Sequence, residues 1–432
     1  MSLAEVRDLP GGARLLLAHQ PGRPSTALGI YVTVGSRHEP WEAQGLAHFV
    51  EHVLFKGSEL RSARELARAV DRLGGEFDAH TTKDFTAYTA RVLAEDLDAA
   101  LDLMEELVFS PAFPEEAVEA ERRVILEEIA EASDDPEDVV WEELASLLFG
   151  PEHPLGWPIL GRPETVRRID RRLLRDFFSE AYTSPNLVFA VVGALSPEAE
   201  EKVQRRLADL AAARFEPSRL SFGNAEAAPA VPPFPSGARR ELCRETAQTH
   251  VVFAWPALPY GDIRLPVLLV LEALFGGSAS SRLFQRVREE DGLAYSVYSS
   301  LGLHPDVGYL GAYAASGNAA GERVEEAILR EAEALARGEL AGAEVEEARD
   351  FVRRSYLLAR ESLGSLRDRL AQELIFTGRI DSEETFLSRL ADTTFADVRE
   401  LAREIFSVEP AVVRLAPCPR GRRNRRTPHG RR

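Results

Sequence analysis

The stretch Gly45-Leu46-Ala47-His48-Phe49-Val50-Glu51-His52-Val53-Leu54-Phe55-Lys56-Gly57-Ser58 reads as a short apolar helix closed by a glycine turn. Its last five residues return 220 positions later as Leu274-Phe275-Gly276-Gly277-Ser278. Each copy follows a strand pattern and an apolar helix. The echo predicts two copies of one α+β unit, each a mainly antiparallel sheet packed with helices. Around the first copy, strand patterns fall at 14–18, 27–34, 85–92 and 187–193, with amphipathic helices between them. Around the second they fall at 250–255, 295–303 and 308–315, with helices at 321–337, 343–377 with breaks, and 395–406. A Pro/Ala/Gly-rich segment without period divides the two. The expected organisation is a domain over 1–215, a linker over 216–237, a second domain over 238–419 and a basic, disordered tail over 420–432.

Size agrees with that division, since 432 residues exceed the ~250–300 that one core usually serves. With 45% hydrophobic and 28% charged residues, the chain can bury sizeable cores, which excludes overall disorder. Net charge is −18, and setting aside the seven arginines of 420–432 leaves −25 on the rest. So acidic a body disfavours nucleic acid, whose binding rests on phosphate neutralisation, and favours basic partners. Cys243 and Cys418 are the only cysteines, far apart and in no CxxC pair. Neither a disulfide framework nor a thiolate metal site is expected, and a reducing, cytoplasmic location fits. The apolar run at 15–18 is too short for a signal peptide. The longest, 265–275, falls below the ~20 residues of a membrane span, so no membrane partner is expected.

On a helix, His48 and His52 lie one turn apart on one face, so both imidazoles reach a single metal ion. Glu51 sits on the neighbouring surface, able to hydrogen-bond a water at that metal without binding the metal, the position of a general base. This is the H-x-x-E-H order of one class of zinc-protease helix. The bland alternative is a helix with two half-exposed histidines. Against it, Leu46, Phe49, Val50, Val53 and Leu54 make the helix mostly apolar, where three ionisable groups are costly unless paired or metal-bound.

A third ligand is required. In Pro114–Ala132, the apolar stripe runs through Val118, Ile125 and Ile129. At about 100° per residue, Glu121 and Glu128 border that stripe one above the other, while Glu127 points away. Glu128 is the candidate ligand and Glu121 the acid that orients a histidine or Glu128. Spacing alone equally allows two solvated acids.

HFVEH at 48–52, followed 76 residues after His52 by Glu128, resembles the pitrilysin-type zinc peptidases, the family that includes the mitochondrial processing peptidase. The likeness extends to GGEFDAHTTKDFTAYTARV at 74–92 and SSRLFQRVREEDGLAYSVYSS at 280–300, so it covers both halves. It implies one zinc ion per chain held by His48, His52 and Glu128, with Glu51 as catalytic base and Glu121 supporting. It also implies that Arg288 and Tyr295 face the zinc from another domain and help hold the scissile region or its developing oxyanion. Finally, it implies that Phe77, Asp78 and Ala79, on an edge strand beside the metal helix, pair with an extended peptide. Asp78 replaces the usual asparagine there. His80 is not assigned to the metal.

Shifting by 220 residues puts Leu268, Leu271 and Glu272 where the first copy has His48, Glu51 and His52, so the second half has no metal helix. Gly276-Gly277 reads as a helix-ending turn rather than a phosphate loop, and Ser278–Ser281 has no nucleophile setting. Larger relatives carry four such domains and this chain carries two. The expectation is a homodimeric zinc endopeptidase acting on peptides or small unfolded polypeptides, basic ones favoured. The alternatives are a non-catalytic scaffold subunit and a half-enzyme that needs a different partner chain.

Overall fold

The computed structural model describes residues 4–214 and 229–418. In the first half lie strands β1 (Ala4–Asp8), β2 (Arg14–His19), β3 (Ser25–Val32), β4 (Glu76–Thr81), β5 (Thr86–Leu93) and β6 (Leu187–Gly193). Its helices are α1 (Leu46–Leu54), α2 (Ala63–Leu73), α3 (Leu97–Phe109), α4 (Glu115–Asp134), α5 (Pro136–Phe149), α6 (Pro163–Val166), α7 (Arg171–Ala181) and α8 (Pro197–Ala213). The second half has β7 (Arg239–Cys243), β8 (Gln248–Ala257), β9 (Ala294–Leu303), β10 (Gly308–Gly317) and β11 (Ala411–Ala416). With them are α9 (Leu265–Glu272), α10 (Gly321–Ala336), α11 (Gly342–Ala359), α12 (Leu363–Thr377), α13 (Glu383–Asp392) and α14 (Phe395–Phe406).

Each half forms one mixed sheet, so the two α+β units expected from the repeat are both present. The first runs β1-β2-β6-β3-β5-β4, with β2 and β6 the parallel pair. The second runs β7-β11-β8-β10-β9, with β7 and β11 parallel. β6, Leu-Val-Phe-Ala-Val-Val-Gly, is buried at every residue, as a continuous apolar run covered on both faces must be. β4 alternates exposed and half-buried residues at the sheet edge, with Phe77 and Ala79 turned to the core.

Covering both faces draws each half into the other. One face of the first sheet packs on helices of its own half, α1 and α3 among them. On the other lie Leu366, Leu370 and Leu374 of α12, against Leu16, Tyr31 and Val188. Reciprocally, Val140, Leu144 and Leu148 of α5 cover Val252, Ala254 and Val413 of the second sheet. A buried leucine contributes about 1.5–3 kcal/mol, so α12 cannot leave the first sheet without forfeiting much of a marginal total stability. The helical run is interrupted between α11 and α12, where the Ser362 side chain caps α12 by accepting from Ser365 N–H. α12 thereby turns onto the opposite half.

Polar contacts seal the exchange. Arg367 of α12, 6% exposed, donates to the carbonyls of Leu28 (3.0 Å) and Ala90 (3.3 Å) and to Tyr31 Oη (3.2 Å). At another point of the seam, Arg37 pairs with Asp84 (2.9 Å) and with Asp306 of the second half (2.6 Å). His304 Nδ1 meets the other oxygen of Asp84 at 2.7 Å. Burial opposes ionisation of Asp84, but the His304 ring and Arg37 guanidinium outweigh it and hold the carboxyl below its ordinary range.

Cys243 and Cys418 are joined in a disulfide, which corrects the expectation of two free thiols. The parallel register sets Cys243 beside Ala416, and Cys418 follows two residues later on the same side of the chain. A sequence separation of 175 hid the pair. Cysteine usage therefore no longer argues for a reducing compartment. Among the described residues, no helix is long and apolar enough to cross a membrane. Residues 216–228 of the expected linker and the tail over 420–432 lie outside the described residues, while 229–237 run to β7 without helix or strand.

Replacing Arg367 with leucine removes its buried hydrogen bonds to two sheet carbonyls and to Tyr31 Oη, which keeps its own bond to Asp368. The expected loss is about 2–4 kcal/mol, read as a lower urea midpoint. A midpoint unchanged from the parent would remove Arg367 as the anchor of the exchanged helix.

Candidate metal centre

The metal helix begins at a fixed point. Gly45, at φ +92°, adopts the left-handed conformation that favours glycine, and a Cβ there would come within 2.6 Å of the Leu160 carbonyl oxygen. From the preceding loop, buried Glu39 accepts from Gly45 N–H (2.7 Å) and Ala47 N–H (2.6 Å), which satisfies free donors at the helix start. Burial pushes the Glu39 carboxyl up to about 8, against those same amides. His48 then falls in the first turn and His52 one turn on, with ring centroids 4.4 Å apart.

α4 packs against α1 and brings in the acid. Glu128 Oε2 lies 3.6 Å from His52 Nε2 and 3.9 Å from His48 Nε2. The three residues offer ligand atoms all within 4.8 Å of one another. In a tetrahedral zinc site with bonds of about 2.0–2.1 Å, donor atoms sit about 3.3 Å apart, so the group fits with small side-chain adjustment. Glu128 Oε2 is buried and has no hydrogen-bond partner among the described residues, as expected of an atom reserved for a cation. Burial, then the charge of His52, pushes the His48 pKa down to about 3, which keeps the imidazole neutral as a ligand requires.

Glu121, buried one helical face-repeat before Glu128, places Oε2 3.1 Å from His52 Nδ1 and Oε1 3.0 Å from Lys56 Nζ. A carboxylate only accepts, so His52 carries its proton on Nδ1 and turns a bare Nε2 toward Glu128. Of the two orientations open from spacing, the structure has Glu121 hold a histidine. Glu51 accepts from Thr81 Oγ1 at 2.5 Å. Burial raises its pKa, opposed by the Thr81 hydroxyl and then His52. Lys56 and Thr81 were not singled out in sequence. Lys56 could have been found as the next turn after His52. Thr81 required knowing that β4 lies beside α1.

On β4, Phe77, Ala79 and Thr81 share the face toward α1, while Asp78 and His80 point the other way. Asp78 Oδ1 accepts from Ala79 N–H at 2.9 Å. His80 rests edge-on against Phe85, away from the metal group. Arg288 and Tyr295 come together, but not with the histidines. The Arg288 guanidinium lies between the rings of Phe284 (4.7 Å) and Tyr295 (4.6 Å). The β9 register slips at Tyr295, since Ser296 pairs with Ala315 and Ala294 with Ser316. That bulge turns the Tyr295 ring outward, 78% exposed. Arg288 itself sits in a π-helical turn, Phe284–Glu290.

Residues 14–161 match the family model for insulinase, peptidase family M16, and residues 168–352 match the model for the peptidase M16 inactive domain. The chain belongs to peptidase family M16. It is 33% identical to an uncharacterized zinc protease of Bacillus subtilis, YmxG, across 94% of this chain and 96% of that protein. An uncharacterized zinc protease of Streptomyces coelicolor is 36% identical across 95% of this chain and 88% of its own length. Two solved structures share the M16 fold. A peptidase M16 inactive domain from Pseudomonas fluorescens has TM-score 0.86 at 20% identity, covering 96% of this chain and 98% of its own. A protease from Helicobacter pylori has TM-score 0.85 at 21% identity, covering 96% and 100%. The resemblance read from HFVEH and the flanking segments is thus to the right family. An inactive second half agrees with α9, whose Leu268, Leu271 and Glu272 replace the metal helix.

Glu121→Gln should weaken zinc binding by about 10–100-fold, the usual cost of losing a ligand's outer partner. Glu51→Gln should leave it unchanged. Competition with a chelator measures both, and equal affinity in Glu121→Gln and the parent would dismiss the orienting role.

Proposed function

We propose that this chain is a zinc-dependent endopeptidase that cleaves peptides or small unfolded polypeptides in a chamber formed by two copies of itself. The observation that carries the reading is the convergence of His48 Nε2, His52 Nε2 and Glu128 Oε2, with Glu51 one residue before a ligand and, among the described residues, hydrogen-bonded only to Thr81. Zinc held by that trio supplies Lewis-acid chemistry, acidifying water and polarising a peptide carbonyl. Glu51 takes the proton from the attacking water and returns it to the leaving amine. Burial raises its pKa, the direction that eases uptake of the water's proton. Thr81 fixes the carboxylate in place.

The free edge of β4 offers an extended peptide a row of main-chain groups, which gives affinity with little reading of sequence. Asp78 lies on that edge. A cleft further along α4 is lined by Ile129 and Ser133 together with Glu142 and Glu143 of α5. Burial raises the pKa of Glu142 despite the opposing charges of Lys83 and Arg162, and a further basic side chain would relieve the remaining cost. Both features favour basic peptides.

Within one chain and among the described residues, the ring and ion-pair contacts of Arg288 and Tyr295 fall inside residues 284–295. Their outward presentation suits a partner subunit's site, where guanidinium and hydroxyl donors would meet the developing oxyanion. Two equivalent sites then follow from one two-fold axis.

Glu51→Gln should retain zinc and lose about 10²–10⁴-fold in peptide cleavage. Cleavage undiminished by the substitution overturns the proposal. Mixing Glu51→Gln subunits with Arg288→Ala subunits should restore activity that neither has alone; no recovery on mixing would rule out the shared site. Basic peptides should be cleaved faster than acidic ones, with the difference shrinking as salt rises.

A further inference from the structure

A second concave site lies far from the metal group in the fold, between α12 and the helices α9, α11 and α13. Its volume is about 270 Å³. Its walls are apolar: Tyr260, Ile263, Pro266, Leu269, Leu303 and Phe386. Ile263, at the rim, is 70% exposed and continues the apolar wall outward. The α12 wall is the Arg369–Glu373–Thr377 stripe, about a quarter-turn round from the leucines that hold the first sheet.

Three arginines and three acids meet at the polar end, but their hydrogen-bonding capacities do not cancel. Arg389 pairs closely with Asp381, at 2.6 Å. Arg379 reaches the other oxygen of Asp381 only at 3.7 Å, and Arg369 reaches Glu373 only at 3.8 Å. Glu373 spends its other oxygen on Asp381 N–H at 2.7 Å, and Asp262 is taken by Arg264. The guanidinium groups of Arg369, half-buried, and Arg379, open to solvent, therefore donate no hydrogen bond within 3.5 Å among the described residues. Arg369 is held in place by stacking on Tyr356, 4.7 Å from its ring centroid. Each guanidinium carries five N–H donors in a plane that matches a carboxylate.

We propose that this pocket binds a small amphipathic carboxylate, its apolar group against Leu269 and Phe386 and its carboxylate on Arg369 and Arg379. An apolar body leaves the aliphatic walls dry, and a single negative head completes the idle donors. A neutral polar head would supply too few acceptors, and a cation would face arginines. Because α12 is packed on the first sheet while α9 and α13 belong to the second core, the ligand would bridge the two halves of the chain.

Calorimetric titration of the full chain with octanoate and with N-acetylleucine tests the proposal, with octanol and octylamine as controls. At least one carboxylate should bind and neither control should. Octanoate alone points to a free aliphatic acid as the natural source; N-acetylleucine alone points to the C-terminal residue of a peptide. Arg379→Glu and Ile263→Asp change exposed side chains and should leave the melting temperature near that of the parent. Each should weaken binding about tenfold or more, the size of one charge-assisted hydrogen bond or one buried aliphatic contact. Failure of both carboxylates to bind, octanol binding as tightly as octanoate, or unchanged affinity in both variants overturns it. None of these readouts depends on zinc or on peptide cleavage.

Discussion

Every residue of β6 is buried, and the second sheet is likewise lined on both faces, so neither sheet can leave a side to water. Each half has helices enough in place for one face and takes the cover for the other from its neighbour. α12 lies on the first sheet and α5 on the second. Much else follows from this exchange. Arg367 spends its donors on main-chain carbonyls of the first sheet, and the Arg37–Asp84–His304–Asp306 cluster closes the seam at the loop that follows β4. That loop joins the edge strand whose Thr81 holds Glu51. Packing of the two halves and placement of the Glu51 carboxylate, the proposed base, are therefore linked through a few residues of chain.

The metal centre shows how an apolar helix tolerates ionisable groups. Glu39 answers the open amides at its start. Glu121 is neutralised by Lys56 and hydrogen-bonded to His52. Thr81 satisfies Glu51. Once these pairs are made, Glu128 Oε2 is left buried without a hydrogen-bond partner among the described residues, facing His48 Nε2 and His52 Nε2 across one small volume. A divalent cation resolves that cluster with the ligand types and spacing zinc prefers. The second half shows the converse. Its α9 carries a single ionisable group after Arg264, Glu272, and a hydrogen bond from the Ser299 hydroxyl is the compensation it receives.

The inferred carboxylate pocket adds a different relation between the halves. It opens between the helix that crosses to the first sheet and the helices of the second core, a junction where domains commonly bind small molecules. Occupancy there would bear on the same seam that positions Glu51, at a point remote from it.

The sequence by itself determined what depends on local period. Residues one turn apart must share a helix face, so His48 with His52, and Glu121 above Glu128, were legible before any fold was known, as was the alternation that makes 76–81 an edge strand. The five-residue echo at 54–58 and 274–278 likewise announced two units. Tertiary structure alone decided which distant groups meet. An amphipathic helix states that it has a face to bury but not against which sheet, so the exchange of α5 and α12 left no mark in their patterns. Cys243 and Cys418 had no local relation until parallel pairing of β7 and β11 brought their strands together. Thr81 and Lys56 became partners of Glu51 and Glu121 only once β4 and α4 were packed on α1. Periodicity is a property of neighbours along the chain, whereas pairing partners are chosen by burial across it.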